Sequence, residues 1–264
     1  MHVLYAKNSS IVYCALLHAY GFDALKIPAI APTFFANVAK MMGVQMEFVD
    51  VKLDFSGDAD VVHNFFESFT PKAKIVFQNW GECIGDAEVF VMKRADCVKL
   101  VIKNEEIVRK VELFLHGGVQ KGRLWNYDVV DIGIKNLRGP CEEDVRQAIE
   151  ESNELVDYFE EKFRDNPYFD ILKIGGETLK TQYPILLKPS LYCPKEDIFV
   201  ELREKGVHVE VRFKPLYRMS LFSGDFLPGA EELYKALLLL PMEKSVVGTL
   251  FEVLDKYRYR GCRF

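Results

Sequence analysis

The pattern of apolar and polar positions is clearest between residues 23 and 51. An apolar run at 23–27 predicts a buried strand, and Thr33 then precedes apolar residues at helical spacing that end at Gly43. Residues 46–51 predict a second strand. A strand, a helix of about three turns and a strand form a βαβ unit. Such units build parallel sheets whose sites lie at the carboxyl ends of the strands.

Before this unit, the pattern predicts a short strand at 3–6 and a helix that ends at Gly21. Asn8, Ser9 and Ser10 stand where the helix begins and are typical capping residues. A serine-rich turn at a helix start can also hold a phosphate group, because free N–H groups and the helix dipole point toward it. An ordinary helix cap and a phosphate site are therefore both open at Ser9 and Ser10.

After the βαβ unit, apolar residues within 55–74 follow helical spacing and predict an amphipathic helix. Strands are expected at 74–80, 87–93 and 97–102, and the last two are predicted to form an antiparallel pair. A helix follows at 105–115. Together these elements predict an α/β fold with a mainly parallel sheet.

The segment 122–140 is rich in loop-forming residues and is the predicted domain boundary. It separates a larger α/β domain, residues 1–135, from a smaller C-terminal α+β domain, residues 136–264. The second domain is predicted to begin with a long helix that has one apolar face. Near the end of the chain, a helix over 229–240 is expected to include four consecutive leucines.

Composition and charge narrow the classes of function. The 264 residues carry a formal net charge of −5, so bulk charge gives no bias toward nucleic acid or an anionic membrane. No apolar run reaches the length of a membrane span, and the first ten residues lack the charged and apolar regions of a signal peptide. Six scattered cysteines without a CxxC pair predict reduced thiols in a cytoplasm, and neither a zinc site nor a disulfide framework.

Five stretches, taken in order along the chain, resemble the DegT/DnrJ family of sugar aminotransferases, which are pyridoxal-phosphate enzymes of fold type I. The stretches are IPAIAPTFFANVAKMMGVQMEFVDV at 27–51, GDAEVF at 85–90, HGG at 116–118 with WNYDVVDIGI at 125–134, HVEVRFKPLY at 208–217 and LPGAEELYKALLLLP at 227–241. Together they extend the resemblance over almost the whole chain. The resemblance implies a fold type I architecture and pyridoxal phosphate as the cofactor.

The resemblance also implies a lysine that forms a Schiff base with the cofactor. A local deletion brings Lys93 into register with it, whereas an ungapped count places Asp96 there, and an ordinary surface lysine is the alternative for Lys93. For the cofactor phosphate the resemblance implies Ser9 and Ser10. For the aromatic ring that stacks on the cofactor it implies Phe34.

Substrate contacts are implied at three further residues. Asn136 and Arg138 lie in the stretch that reaches a neighbouring subunit's phosphate in the family, and a plain loop contact is the alternative. Arg212 replaces a family histidine and suits a nucleotide diphosphate, since guanidinium groups bind phosphate in a bidentate way; a residue that merely flanks a strand is the alternative. The implied partners are a nucleotide sugar, glutamate and a second copy of the chain in a homodimer.

Two parts of the family pattern have no match. The aspartate that pairs the pyridine nitrogen comes from a segment of which only GECI, residues 81–84, is left. The chain also begins almost at the phosphate turn, so the family's N-terminal arm is expected to be missing. One hypothesis is a non-catalytic relative that binds a sugar nucleotide or a partner subunit. The other is an active enzyme that moves an amino group from glutamate to a keto sugar nucleotide. The unmatched aspartate favours the first hypothesis.

Overall fold

A computed structural model gives the fold and describes residues 1–94, 97–121, 127–141 and 145–258. The strands in these residues are β1 His2–Ala6, β2 Ala24–Pro28, β3 Gln45–Val49, β4 Val61–His63, β5 Lys72–Asn79, β6 Asp86–Arg94, β7 Cys97–Ile102, β8 Val119–Lys121, β9 Tyr127–Val129, β10 Phe169–Ile171, β11 Gln182–Leu187 and β12 Leu237–Pro241. The helices are α1 Ser9–Tyr20, α2 Thr33–Met41, α3 Glu105–Leu115, α4 Arg146–Phe163, α5 Lys195–Glu204, α6 Pro228–Ala236 and α7 Val246–Tyr257.

The central sheet has five strands in the order β1-β7-β6-β5-β4. The strands β4, β5 and β6 are parallel to one another, while β7 is antiparallel to both of its neighbours, β6 and β1. All strands of this sheet except β7 therefore run in one direction, and their carboxyl ends share one edge. The prediction of a mainly parallel sheet is confirmed, and so is the predicted antiparallel pair.

One face of the central sheet packs against α1, α2 and α3, and the larger core between them buries Tyr13, Phe35 and Phe77. Beside this sheet, β2 and β3 pair in parallel, and α2 lies between them in the sequence. This confirms the predicted βαβ unit. Asn8 caps α1, and Gly21 ends it in the left-handed conformation that favours glycine, with φ at 63°. Local signals in the sequence thus set the ends of the elements that support the sheet.

The C-terminal part packs α4, α5 and α7 on the antiparallel sheet β10-β11-β12. Side chains of β12 alternate between two cores. Leu238 and Leu240 belong to the core under these helices, whereas Leu237 and Leu239 belong to a third cluster that includes residues of the first half. The helix predicted over 229–240 is confirmed as far as Ala236, which ends α6, but its last four residues are strand β12, because an apolar run buried on both faces does not distinguish a strand from a helix.

The helix predicted within 55–74 is also wrong. Residues Val61–His63 form β4, which pairs in parallel with residues 75–77 of β5. The β-branched Val61 and Val62 suit a strand, and pairing with a neighbouring strand outweighs the helical spacing of the apolar residues. This correction matters for the site, because it places His63 at the end of a parallel strand.

The cysteine prediction is contradicted as well. Cys97 and Cys141 form a disulfide whose Cα atoms are 6.6 Å apart, and Cys193 is also disulfide-bonded. Cys14 and Cys83 are free. The first pair is separated by 44 residues, and no local spacing motif signals such a bond.

Two further findings concern the described residues alone. No helix among them combines the length and the apolarity that crossing a membrane requires. Their histidine, cysteine, aspartate and glutamate side chains form no group that could hold a metal ion.

Candidate functional site

A cavity of about 250 Å³ lies at the carboxyl ends of β4, β5 and β6. His63 at the end of β4, Asn79 at the end of β5 and Lys93 near the end of β6 line it. Arg94 and Arg212 add two guanidinium groups to the lining. This edge is where parallel α/β sheets commonly place their binding sites.

His63 lies deep in this wall, with 4% of its surface exposed. Its ring contacts the rings of Phe65 and Phe213, at centroid distances of 3.9 and 5.0 Å. Burial lowers the pKa of His63 to about 3, and the positive charge of Arg212 acts in the same direction. The imidazole is therefore neutral at physiological pH. Its Nε2 atom has no hydrogen-bond partner among the described residues.

Two of the residues singled out from the sequence, Lys93 and Arg212, meet at this cavity. Lys93 is exposed and lies opposite Asn79 in the register between β5 and β6. Arg212 forms an ion pair with Glu210. No carboxylate belongs to the described lining of the cavity, although that of Glu210 lies against Arg212.

The opposite wall comes from residues 179–182 of the C-terminal part. This segment pairs through its backbone with the chain that follows β5. The N–H of Leu179 donates to the carbonyl oxygen of Trp80 at 2.8 Å, and the N–H of Glu82 donates to that of Glu177 at 3.1 Å. The cavity is consequently built by both halves of the chain.

Lys180, in this same segment, forms a buried ion pair with Glu67. Its Nζ lies 3.0 Å from Oε2 of Glu67, and the two side chains are 2% and 1% exposed. Lys180 also donates to the carbonyl oxygens of Gly176 at 2.9 Å and Thr178 at 2.8 Å. Burial raises the pKa of Glu67 to about 7, although Lys180 lowers it. The pair joins the two halves of the chain.

Ser9 and Ser10 lie at the same edge of the sheet but outside the cavity lining. Backbone pairing across β1, β7 and β6 places the end of β1 two strand spacings, roughly 10 Å, from Lys93. The Asn8 carboxamide oxygen accepts from the backbone N–H of Ser10 at 2.8 Å and from that of Ile11 at 3.2 Å. Two backbone donors of this turn are therefore paired as in an ordinary helix cap, and the phosphate role of Ser9 and Ser10 stays a prediction.

The other three predicted residues also lie outside the cavity lining. Phe34 packs against aromatic rings of the larger core. Asn136 is buried, and its Oδ1 accepts from the backbone N–H groups of Lys7 at 2.9 Å and Asn8 at 3.2 Å. The N–H of Arg138 donates to the backbone of β1. Asn136 and Arg138 therefore hold the end of β1 and the turn that leads into α1.

The arrangement tests whether pyridoxal phosphate fits this chain. The described lining offers an amine, Lys93, but no carboxylate to face a pyridine nitrogen. Two amide donors at the start of α1 bond to Asn8, and Phe34 packs half-buried against the larger core. Asp96, which an ungapped count places at the position of the family's Schiff-base lysine, lies outside the described residues. The described lining thus offers the amine but not the carboxylate that the cofactor would need.

The sequence reasoning missed His63 and Asn79. Each of them is the last residue of a parallel strand. The strand that ends at Asn79 was predicted, so the position of Asn79 at its carboxyl end could have indicated a site residue. His63 was hidden, because its segment was assigned to a helix.

A curated relative decides the kinship of this chain. A UDP-4-amino-4,6-dideoxy-N-acetyl-beta-L-altrosamine transaminase of Campylobacter jejuni is 32% identical over 185 residues, which are 62% of this chain and 49% of the relative. The chain is related to the sugar aminotransferases. It spans about half the length of the curated relatives it matches. No family model matches it.

Solved structures confirm that this chain, which is related to the sugar aminotransferases, has fold type I. Helicobacter pylori PseC, an aminotransferase involved in the biosynthesis of pseudoaminic acid, gives a TM-score of 0.81 at 17% identity, over 98% of this chain and 87% of that one. A DegT DnrJ EryC1 StrS aminotransferase from Brucella abortus gives 0.73 at 15% identity, over 98% and 86%. NtdA from Bacillus subtilis, solved with the bound cofactor PMP, gives 0.76 at 15% identity, over 97% and 74%. The resemblance and the fold class inferred from the sequence are both confirmed.

Proposed function

We propose that this sugar-aminotransferase relative does not catalyse transamination and instead binds the phosphate-bearing part of a nucleotide sugar. The observation that supports this is the composition of the cavity at the ends of β4, β5 and β6. Lys93, Arg94 and Arg212 are cationic, and the described lining holds no carboxylate. Pyridoxal phosphate acts as an electron sink when an acidic group faces its ring nitrogen, and this cavity supplies none.

In this proposal the side chains of the cavity bind and orient an anion. Lys93 acts as a point charge, and Arg212, paired with Glu210, presents its guanidinium group to phosphate oxygens. The volume of about 250 Å³ is below the range of about 300–1,000 Å³ that is usual for small-molecule pockets. The cavity therefore suits the sugar phosphate end of the ligand, with the nucleoside outside it.

An active aminotransferase is the second candidate, and the position of Lys93 favours it. This lysine is exposed at the carboxyl end of β6, at the edge that also carries the start of α1. In this hypothesis glutamate donates an amino group to a keto sugar nucleotide. A homodimer, which the resemblance implies, then completes a site that the single chain lacks.

A visible spectrum recorded with pyridoxal phosphate separates the two candidates. We expect no Schiff-base absorbance at saturating cofactor. A band that disappears in Lys93→Ala but persists in Lys72→Ala would favour the enzyme and contradict the proposal. Lys72 is a matched control, because it is exposed and begins β5 at the end remote from the cavity.

Calorimetric titration with glucose 1-phosphate tests the binding half of the proposal. The wild type and Lys72→Ala should bind it alike. Lys93→Ala should bind it roughly tenfold or more weakly, since hydrogen bonds to charged groups contribute about 1.5–3 kcal/mol. Equal affinity of all three proteins would remove Lys93 from the site.

A further inference from the structure

Asn79 carries a side-chain amide of fixed orientation in the wall of the cavity. It is the last residue of β5, and it lines the cavity beside Lys93, its partner in the register between β5 and β6. Its Nδ2 donates to the backbone carbonyl oxygen of Phe65 at 3.0 Å. Only the NH2 group of a carboxamide can donate, so this bond decides which end of the amide is nitrogen and which is Oδ1.

The Oδ1 atom of Asn79 is accessible and accepts no hydrogen bond from the described residues. The side chain is half-buried, and its one hydrogen bond to a described residue is the bond from Nδ2. Oδ1 is not enclosed without a partner, as the Oδ1 of Asn64 and the Oε1 of Glu67 are. Because Asn79 lines the cavity, Oδ1 is the acceptor that its side chain leaves for a ligand there.

The charges around Asn79 define the donor that Oδ1 would meet. Neighbouring strands lie about 4.8 Å apart, so the backbone of Lys93 lies directly beside that of Asn79. Lys93 and Arg212 line the same cavity. These cations attract a phosphate group and repel an ammonium group. The donor is therefore neutral, and a hydroxyl group is the neutral donor that a sugar phosphate carries near its phosphate.

We propose that Asn79 is a specificity-determining residue, whose Oδ1 accepts a hydrogen bond from a hydroxyl group of the ligand while Lys93 and Arg212 hold the phosphate. This inference rests on the proposed anion-binding function and deepens it. The neutrality of the amide matters as much as its acceptor, because a carboxylate at this position would accept the same hydrogen bond but repel the phosphate.

Asn79→Leu tests the acceptor, because leucine keeps the branched shape of the side chain without its polar atoms. Two phosphate esters are titrated by calorimetry: glucose 1-phosphate carries ring hydroxyls, and cyclohexyl phosphate has a ring of the same size without them. We expect Asn79→Leu to bind glucose 1-phosphate roughly three- to tenfold more weakly, the range of one neutral hydrogen bond. Its binding of cyclohexyl phosphate should change by less than about twofold.

Asn79→Asp tests the charge, because aspartate keeps an acceptor and adds a negative charge. It should weaken binding of both esters by roughly tenfold. Asn104→Asp is the matched control, since it adds the same charge at the N-cap of α3, where aspartate serves as well as asparagine. The N–H of Lys103, the residue before it, donates to the carbonyl oxygen of Glu88 near the start of β6. Asn104 therefore lies at the edge of the sheet opposite the cavity, and both esters should bind Asn104→Asp as they bind the wild type.

Each result bears on the inference. If the wild type binds neither ester, the proposed function and the role of Asn79 fail together. If it binds both esters and Asn79→Leu weakens neither, or weakens both alike, the role of Asn79 fails and anion binding stands. Unchanged binding of both esters by Asn79→Asp would show that the phosphate lies elsewhere and would also overturn the inference. Should Asn79→Leu not fold, carbon NMR of the wild type replaces it. The carboxamide carbon of Asn79 should then shift more with glucose 1-phosphate than with cyclohexyl phosphate, and equal shifts overturn the inference.

Discussion

Replacing Lys180 by methionine tests the buried ion pair that joins the two halves of the chain. Methionine keeps an unbranched side chain but removes the ammonium group that lies 3.0 Å from Glu67. Removing one partner of a buried pair leaves an uncompensated charge and typically costs about 3–5 kcal/mol. We expect a loss of this size in the free energy of unfolding above pH 7, where Glu67 is ionised.

The loss of unfolding free energy in Lys180→Met should shrink in acid. The pKa of Glu67 sets the pH range over which this happens. Burial raises this pKa from its ordinary 4.5 to about 7 in the folded protein. Between these values the folded state binds more protons than the unfolded state, so the free energy of unfolding falls as the pH rises. At about 1.36 kcal/mol for each pH unit, this amounts to about 3 kcal/mol. Without Lys180, which lowers the pKa, the fall continues to higher pH.

Urea unfolding at pH 5 and pH 8 measures the effect. Lys180→Met should be less destabilising at pH 5, and adding Glu67→Gln should recover much of the loss at pH 8. Lys188→Met is the matched control, because Lys188 pairs with Asp170 at 3.7 Å with side chains 36% and 73% exposed, and it should change stability by less than about 1 kcal/mol. A Lys180→Met penalty of equal size at both pH values would refute the reasoning.

Three further substitutions test backbone contacts by urea unfolding or thermal melting. Asp50→Ala removes the carboxylate that accepts from two N–H groups in the first turn of α6, at 3.0 and 2.8 Å, and should cost about 1–2 kcal/mol; an unchanged urea midpoint would show that the cap contributes nothing. Asn136→Ala removes the side-chain acceptor of the Asn8 N–H, while the Lys7 N–H keeps its bond to the backbone carbonyl oxygen at position 136; the change should cost about 1–3 kcal/mol, with faster hydrogen exchange at the Asn8 amide as the independent check. Gly176→Ala would place a Cβ 2.2 Å from Glu67 Oε2 at a φ of +86°, and should lower the melting temperature far more than Gly175→Ala, whose Cβ meets nothing within 4 Å.

The elements that the sequence predicts correctly are those set by local signals. The unit β2–α2–β3 and helix α3 have regular apolar spacing with clear ends. The run at 237–240 was misassigned, because its two sets of leucines enter cores that only the folded chain brings together. The domain boundary at residue 135 and the cytoplasmic location are still predictions.

The candidate site was predictable only in part, because some of its contacts join residues that are far apart in the sequence. Lys93 and Arg212 followed from family motifs, and the structure places both at one cavity. His63 depended on recognising β4, which pairs with β5 at one edge of the central sheet. The pairing of Glu67 with Lys180 joins residues 113 positions apart, and no local pattern encodes such a contact.

Assembly of the two halves should take up protons at neutral pH. Before the segment 179–182 docks, Glu67 is hydrated and ionised above its ordinary pKa; once docked beside Lys180, its pKa is about 7. Contacts this distant in the chain form late, because long loops must close first. The closing step of refolding should therefore quicken as the pH falls from 7 toward 5, whereas formation of the βαβ unit proceeds at the same rate across this range.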